Sequence, residues 1–228
     1  MVPESIEELA QKMADWDFLK QLPASVGVFR LKLGGGLDGR ILRIASYVSE
    51  AYRCRLEIIY TEETKDFVAV KSVGLHEFRD EELFSRDSDA FAAMFLAKLP
   101  RLLGGIDRSQ PHAFPYEAQD LHFEKWAYWR TLPEKLGSYE LFITPANPQP
   151  YINGSIIFLD YVDFGRGNEI SFFYNVFRNE IFAELKRNYL PITTGLFDVE
   201  RDVPDGAKLA RLGELLKAGL AGALSDLG

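Results

Sequence analysis

Residues 32–42 read K-L-G-G-G-L-D-G-R-I-L, and their reading decides between a nucleotide-binding α/β fold and an α+β fold. Gly34, Gly36 and Gly39 spell G-x-G-x-x-G, the spacing that lets a backbone wrap a phosphate at the start of a helix. Upstream, V-G-V-F-R-L-K-L alternates Phe29, Leu31 and Leu33 against Arg30 and Lys32, the pattern of a strand with one buried face. Downstream, Asp38 stands where an N-cap would, and Ile41, Ile44, Ala45 and Val48 form a stripe at helical spacing. The expectation is therefore strand, glycine turn, helix, with Glu62 at the distance of a ribose-binding acid.

The surroundings argue against a nucleotide. Strands covered on both faces by helices are near-continuous apolar runs, and this one alternates with charge. The strand after the expected helix, R-L-E-I-I-Y, turns straight back through T-E-E-T-K into D-F-V-A-V-K-S-V, a hairpin with no second crossover. An Asp38 cap sets a negative charge where a phosphate would sit, and no G-K-S/T follows, which removes a P-loop. Gly34, Gly36 and Gly39 thus stand only as a secondary cofactor site. A plain strand-to-helix turn is favoured, and no cofactor is expected.

Nearer the N-terminus, Ser5 to Leu22 reads as one helix. Ser5 and Glu8 form an S-x-x-E capping box, Ile6, Leu9, Met13 and Trp16 share a face, and Pro23 ends it. A second helical region spans Glu81 to Leu103, with Asp87 as a cap before A-F-A-A-M-F-L-A-K-L and Pro100 bending or ending it. Residues 104–120 hold two glycines and two prolines without a period, the best connection between halves. A short aromatic helix, F-E-K-W-A-Y-W-R, precedes Y-E-L-F-I-T, S-I-I-F-L-D-Y-V and E-I-S-F-F-Y-N-V-F, which read as an antiparallel meander. Leu209, Leu212, Leu216 and Leu220 mark a long C-terminal helix.

One echo suggests an internal repeat with halves 1–104 and 121–228 inside a single compact unit. Each half carries a hairpin followed by F-R-D-E (Phe78 onward) or F-R-N-E (Phe177 onward), then Leu99-Pro100 or Leu190-Pro191. In this reading Asp80 and Asn179 cap the helices that follow the hairpins.

Composition narrows the function classes. The chain has 228 residues, enough for a sizeable core, and acids exceed Lys plus Arg for a net charge of −8. A negative surface field disfavours nucleic acid and anionic membranes as partners. Cys54 is the single cysteine, so no internal disulfide and no multi-cysteine zinc site forms, which fits a cytoplasmic location. The acidic start M-V-P-E-S-I-E-E-L is unlike a signal peptide, and no apolar run approaches the roughly 20 residues of a membrane helix.

The reactive candidates are sparse. In D-L-H-F-E, Asp120, His122 and Glu124 alternate, so an extended segment places them on one face for a metal or for acid–base work. His76 has Glu77 and Asp80 nearby, which read as solvating or capping the next helix. Cys54 sits between Arg53 and Arg55, charges that would lower the pKa of an exposed thiol, but a small packed residue is the expected role. Asp160, Asp163 and Glu169 make an acidic hairpin end. Trp126 and Trp129 read as core. Gly213, Gly219 and Gly222 open a small-residue face on the last helix, for packing on its own body or for a homodimer.

These features predict an α+β protein of antiparallel sheets with flanking helices. Its expected function is non-enzymatic, binding another protein or a small ligand, because no nucleophile, base and stabiliser fall together. The alternative is a small metal-assisted hydrolase using Asp120, His122 and Glu124.

Overall fold

The computed structural model describes residues 5–114, 118 and 121–228. The chain divides into two units, Met1–Ser109 and Gln110–Gly228. Each is α+β, built on its own antiparallel sheet. Among the described residues no helix is long and apolar enough to cross a membrane.

The first unit opens with α1 (Ile6–Ala14), whose N-terminus is closed by the reciprocal Ser5–Glu8 capping box. It is shorter than the expected Ser5–Leu22 helix. Trp16 adopts an extended conformation, and the chain resumes as a 3-10 turn, Asp17–Gln21. The sheet follows in sequence order: β1 (Ser25–Val26), β2 (Phe29–Asp38), β3 (Ile41–Ser49), β4 (Cys54–Thr61), β5 (Asp66–Val73) and β6 (His76–Ser85). Then α2 (Ser88–Gly104) begins at the Asp87 cap and runs through Pro100. Trp16, Phe67, Phe91, Phe95 and Phe18 form a linked aromatic core between sheet and helices, with centroids 5.6–5.9 Å apart along the chain Trp16–Phe67–Phe91–Phe95–Phe18.

One expected helix is a strand, and another starts later than expected. The Ile41–Val48 stripe lies in β3, where Leu42 and every residue from Ile44 to Val48 are buried. A strand buried on both faces loses its two-residue alternation, so its apolar positions also match a helical template. The first part of the Glu81–Leu103 region is the end of β6. Asp80 is a strand residue paired with Lys71 at 2.7 Å rather than a helix cap.

In the second unit two 3-10 turns, Phe123–Lys125 and Ala127–Thr131, stand in place of the expected aromatic helix. Its strands are β7 (Lys135–Leu136), β8 (Tyr139–Ile143), β9 (Gln149–Pro150), β10 (Ser155–Asp163), β11 (Asn168–Asn175), β12 (Glu180–Arg187) and β13 (Leu190–Thr193). They pair in the order β13-β12-β11-β10-β8-β7, with β9 on β10. The long helix α3 (Asp205–Leu227) presents Leu209, Leu212, Leu216, Leu220, Leu224 and Leu227 to a core that includes Tyr161, Phe172 and Phe197. Lys208 is fully buried on α3, its ammonium donating to the Val203 and Arg201 carbonyls and meeting Asp205 at 3.1 Å. These partners satisfy a charge that would otherwise be costly to bury.

The two units share one internal frame. Strands β3, β4 and β5 have the lengths and spacings of β10, β11 and β12. Register breaks at one equivalent place in each, so that Ile44 and Phe158 are the extra residues of matching β-bulges. Ahead of the sheets, W-D-F-L-K-Q-L-P-A-S-V-G at 16–27 matches W-A-Y-W-R-T-L-P-E-K-L-G at 126–137. The Leu31 amide donates to the Ala24 carbonyl at 3.0 Å, and Leu141 donates to Glu134 at 2.9 Å. The buried Tyr47 hydroxyl donates to the Pro23 carbonyl at 2.8 Å, and Tyr161 donates to Pro133 at 2.6 Å.

The F-R-D-E and F-R-N-E segments do not take part in this frame. Phe78 lies in β6, whereas Phe177 to Asn179 lie in the turn between β11 and β12, and neither Asp80 nor Asn179 caps a helix. Leu99-Pro100 is inside α2, while Leu190-Pro191 opens β13.

Removing either phenolic hydroxyl leaves a carbonyl short of a donor. Tyr47→Phe and Tyr161→Phe are each expected to lower stability by about 1 kcal/mol in urea melts. Burial pushes both phenols up to about 12. The folded chain therefore keeps protons that unfolded tyrosines release near pH 10, and stability falls as pH rises from about 10 toward 12. Each Phe variant should flatten that fall.

Candidate interaction groove

The glycine run is a strand–turn–strand hairpin. Asp38 pairs with Ile41 across Gly39 and Arg40, with Gly39 at φ 57°. This is the two-residue connection favoured between twisted strands. No helix begins there, so the helix N-terminus that holds a phosphate in a G-x-G-x-x-G site is missing. Gly34 and Gly36 have φ of 75° and 78°, in the region that side chains disfavour. Between them, a Cβ added at Gly35 would lie 2.7 Å from the Cβ of Arg43. Each member of the triplet is thus glycine for a local reason, and together they shape a break in the β2–β3 register opposite Ile44.

The hairpin forms one wall of a groove of about 560 Å³. Leu33, Leu37, Leu42 and Ile44 line that side, with the backbone of Gly34 and Gly36; Ala10, Met13, Trp16 and Leu19 line the other. Leu33 is 60 % exposed and Leu37 41 % exposed. Large apolar side chains grouped at the mouth of an apolar groove mark a contact surface more than a solvent surface.

The outer edge of β2 is open beside this groove. Among the described residues β1 pairs only with Phe29 and Arg30, so Leu31 to Asp38 have a strand neighbour on the β3 side alone. The Leu31 amide points outward, to Ala24. By strand alternation Leu33 directs its backbone groups the same way. Charges at the edge are loosely held: Lys32 meets Glu50 at 2.6 Å with both side chains more than half exposed, and Asp38 meets Arg43 at 3.5 Å. Lys32 holds Glu50 below the ordinary carboxylate range. Arg43 also binds the buried Glu57, anchoring the wall from below.

Two other clefts are lined by polar groups that already pair within the chain. One of about 730 Å³ near the start of α1 is lined by Lys12, Arg40, Lys65 and Arg86, but Arg40 meets Glu62 at 3.7 Å and Arg86 meets Asp66 at 3.6 Å. The other, in the second unit, has aromatic walls from Tyr151, Phe173 and Phe182, and its Asn175 is committed to Asn153, Ser155 and Arg178.

Asp120 lies outside the described residues. His122 and Glu124 approach to 3.4 Å, both about half exposed, with His122 in the left-handed region at φ 48°. His76 is buried at the start of β6. Burial pushes the Cys54 thiol up to about 12 despite the nearby Arg108, so the adjacent arginines do not activate it. Asp160 accepts from Ser171 at 3.0 Å, Glu169 pairs with Lys186 at 2.5 Å, and Asp163 accepts from the Gly165 and Arg166 amides of its turn. Trp126 is buried in the core, and Trp129 packs against it partly buried. Gly213 lies against Tyr128 and Gly219 against Phe197, so both face aromatic rings of their own unit, while Gly222 has nothing within 4 Å. The groove itself was hidden in the sequence because β3, half of its hairpin wall, reads as a helix; the leucines around Gly34–Gly36 were the available signal.

No protein-family model, curated protein or solved structure matches the chain.

Gly34→Ala and Gly36→Ala should each destabilise the protein by about 1–2 kcal/mol because the native φ is positive. Cys54 should stay unreactive toward a disulfide reagent in the native protein and react on unfolding; fast native labelling would show an accessible thiol.

Proposed function

We propose that this chain is a non-enzymatic interaction protein whose groove between α1 and the β2–β3 hairpin receives an apolar segment of a partner protein. The observation that carries the reading is the junction of an apolar groove, two exposed leucines and a bare strand edge. An extended peptide can use all three, with main-chain bonds for affinity and alternate side chains for specificity. The groove is lined mainly by apolar side chains, with Asp15, Lys20 and Arg43 as its charged members, which fits binding better than chemistry. A reducing cytoplasm suits a chain with one buried cysteine.

We also infer that the two units descend from a duplicated α+β ancestor. The matching bulges and the paired tyrosine–proline bonds support this, because such details are not required by a meander as such.

The test is selection of peptides from a random displayed library on the intact immobilised chain. Apolar-rich peptides should emerge, and binding should weaken about tenfold or more in Leu33→Glu and Leu37→Glu, whose melting temperatures stay near wild type because both sites are exposed. Failure to enrich any peptide, or binding indifferent to both variants, would contradict the reading.

A further inference from the structure

We infer that the partner for this edge is a second copy of the chain, joined by antiparallel pairing of β2 with β2 about a twofold axis at Gly35; this rests on the proposed role of the groove and names its occupant. The segment Lys32-Leu33-Gly34-Gly35-Gly36-Leu37-Asp38 is complementary to itself. Reversed against a second copy with Gly35 opposite Gly35, Lys32 faces Asp38 of that copy, Leu33 faces Leu37, and Gly34 faces Gly36. A twofold contact needs a patch that complements itself, and the twofold repeats each of these pairings.

The backbone has the matching parity. The Leu31 amide points to the outer edge, and alternation sends the backbone groups of Leu33 to that same side; from the other end, Asp38 pairs with Ile41 across a two-residue turn, which turns the backbone groups of Leu37 outward as well. The register that pairs Leu33 with Leu37 therefore joins outward groups to outward groups. A one-residue slip would set them against groups already turned toward β3.

The side chains also match. Leu33 and Leu37, exposed at 60 % and 41 %, cover one another across the new pair on the groove side. The Lys32–Glu50 pair is exposed on both sides and is easily exchanged for Asp38 of the second copy. Edges are usually protected by proline, by charges of one sign or by bulges. This one has a bulge, but no proline, and its terminal charges are of opposite sign at positions that meet in the twofold register. The glycines present no side chain to hold the two backbones apart.

The test is analytical ultracentrifugation of the full chain over a concentration series, with three variants. Wild type should show a monomer–dimer equilibrium. Lys32→Asp and Asp38→Lys should each weaken the dimer about tenfold, since each sets like charges opposite one another twice. The double variant Lys32→Asp/Asp38→Lys should return to within about threefold of wild type. That recovery is specific to pairing between copies, because within one chain the exchange puts an aspartate beside Glu50 and a lysine beside Arg43. A chain monomeric at every concentration, or a dimer that ignores all three variants, overturns the inference. If the monomer still binds selected peptides in a Leu37-dependent way, the inference alone has failed; if it binds none, the reading beneath it has failed too.

Discussion

A tyrosine hydroxyl bonded to a proline carbonyl holds each unit in shape. In the first unit Tyr47, buried in β3, donates to Pro23 at the end of the segment carrying Trp16 and Leu19. That bond sets the 3-10 turn over the sheet and so fixes the distance between the two walls of the groove. In the second unit Tyr161 and Pro133 do the same for Trp126 and Trp129. A buried phenol needs an acceptor, and a proline-containing turn offers a carbonyl not used in any helix or ladder. The sheet and the leading segment are thereby one body rather than two packed pieces.

On this common frame the units differ at the sheet edge. In the second unit the chain leaves β8 through a longer connection and returns as β9, which places Gln149 and Pro150 against Ile157 and Ile156 of β10. Proline at an edge removes a donor and discourages a further strand. In the first unit the same stretch of edge is the glycine triplet and the Leu37-Asp38 end of β2, without proline. The chemistry of the bulge is thus solved twice: with glycine and an open edge in one unit, with an extra loop and proline in the other.

The sequence was legible where local rules decide. The Ser5–Glu8 box, the Asp87 cap, the β4–β5 hairpin, the meander and the leucine face of α3 all came from caps, turn residues and periodicity, and the α+β class followed from them. It was misleading where burial on both faces erased alternation, as in β3, and where a charged strand such as β6 ran on into a helix. The Trp-x-x-x-x-x-Leu-Pro match at 16–23 and 126–133 was readable but easily passed over, because it falls in turns rather than in regular elements. Of the groove, only the glycines were visible in advance, and they read as a strand-to-helix turn with a phosphate site as the lesser alternative. The hydrophobic wall facing them depends on tertiary placement of α1, which no local pattern reports.

The most direct measurement of the central claim, that β2 is an open edge made for a partner strand, is residue-resolved hydrogen exchange of the backbone amides of Leu33 and Leu37. In dilute solution these amides should exchange quickly while those of β4 stay protected, and they should slow markedly as a peptide or a second chain engages the edge. Protection already complete in dilute monomer, or fast exchange unchanged when the groove is occupied, would contradict it.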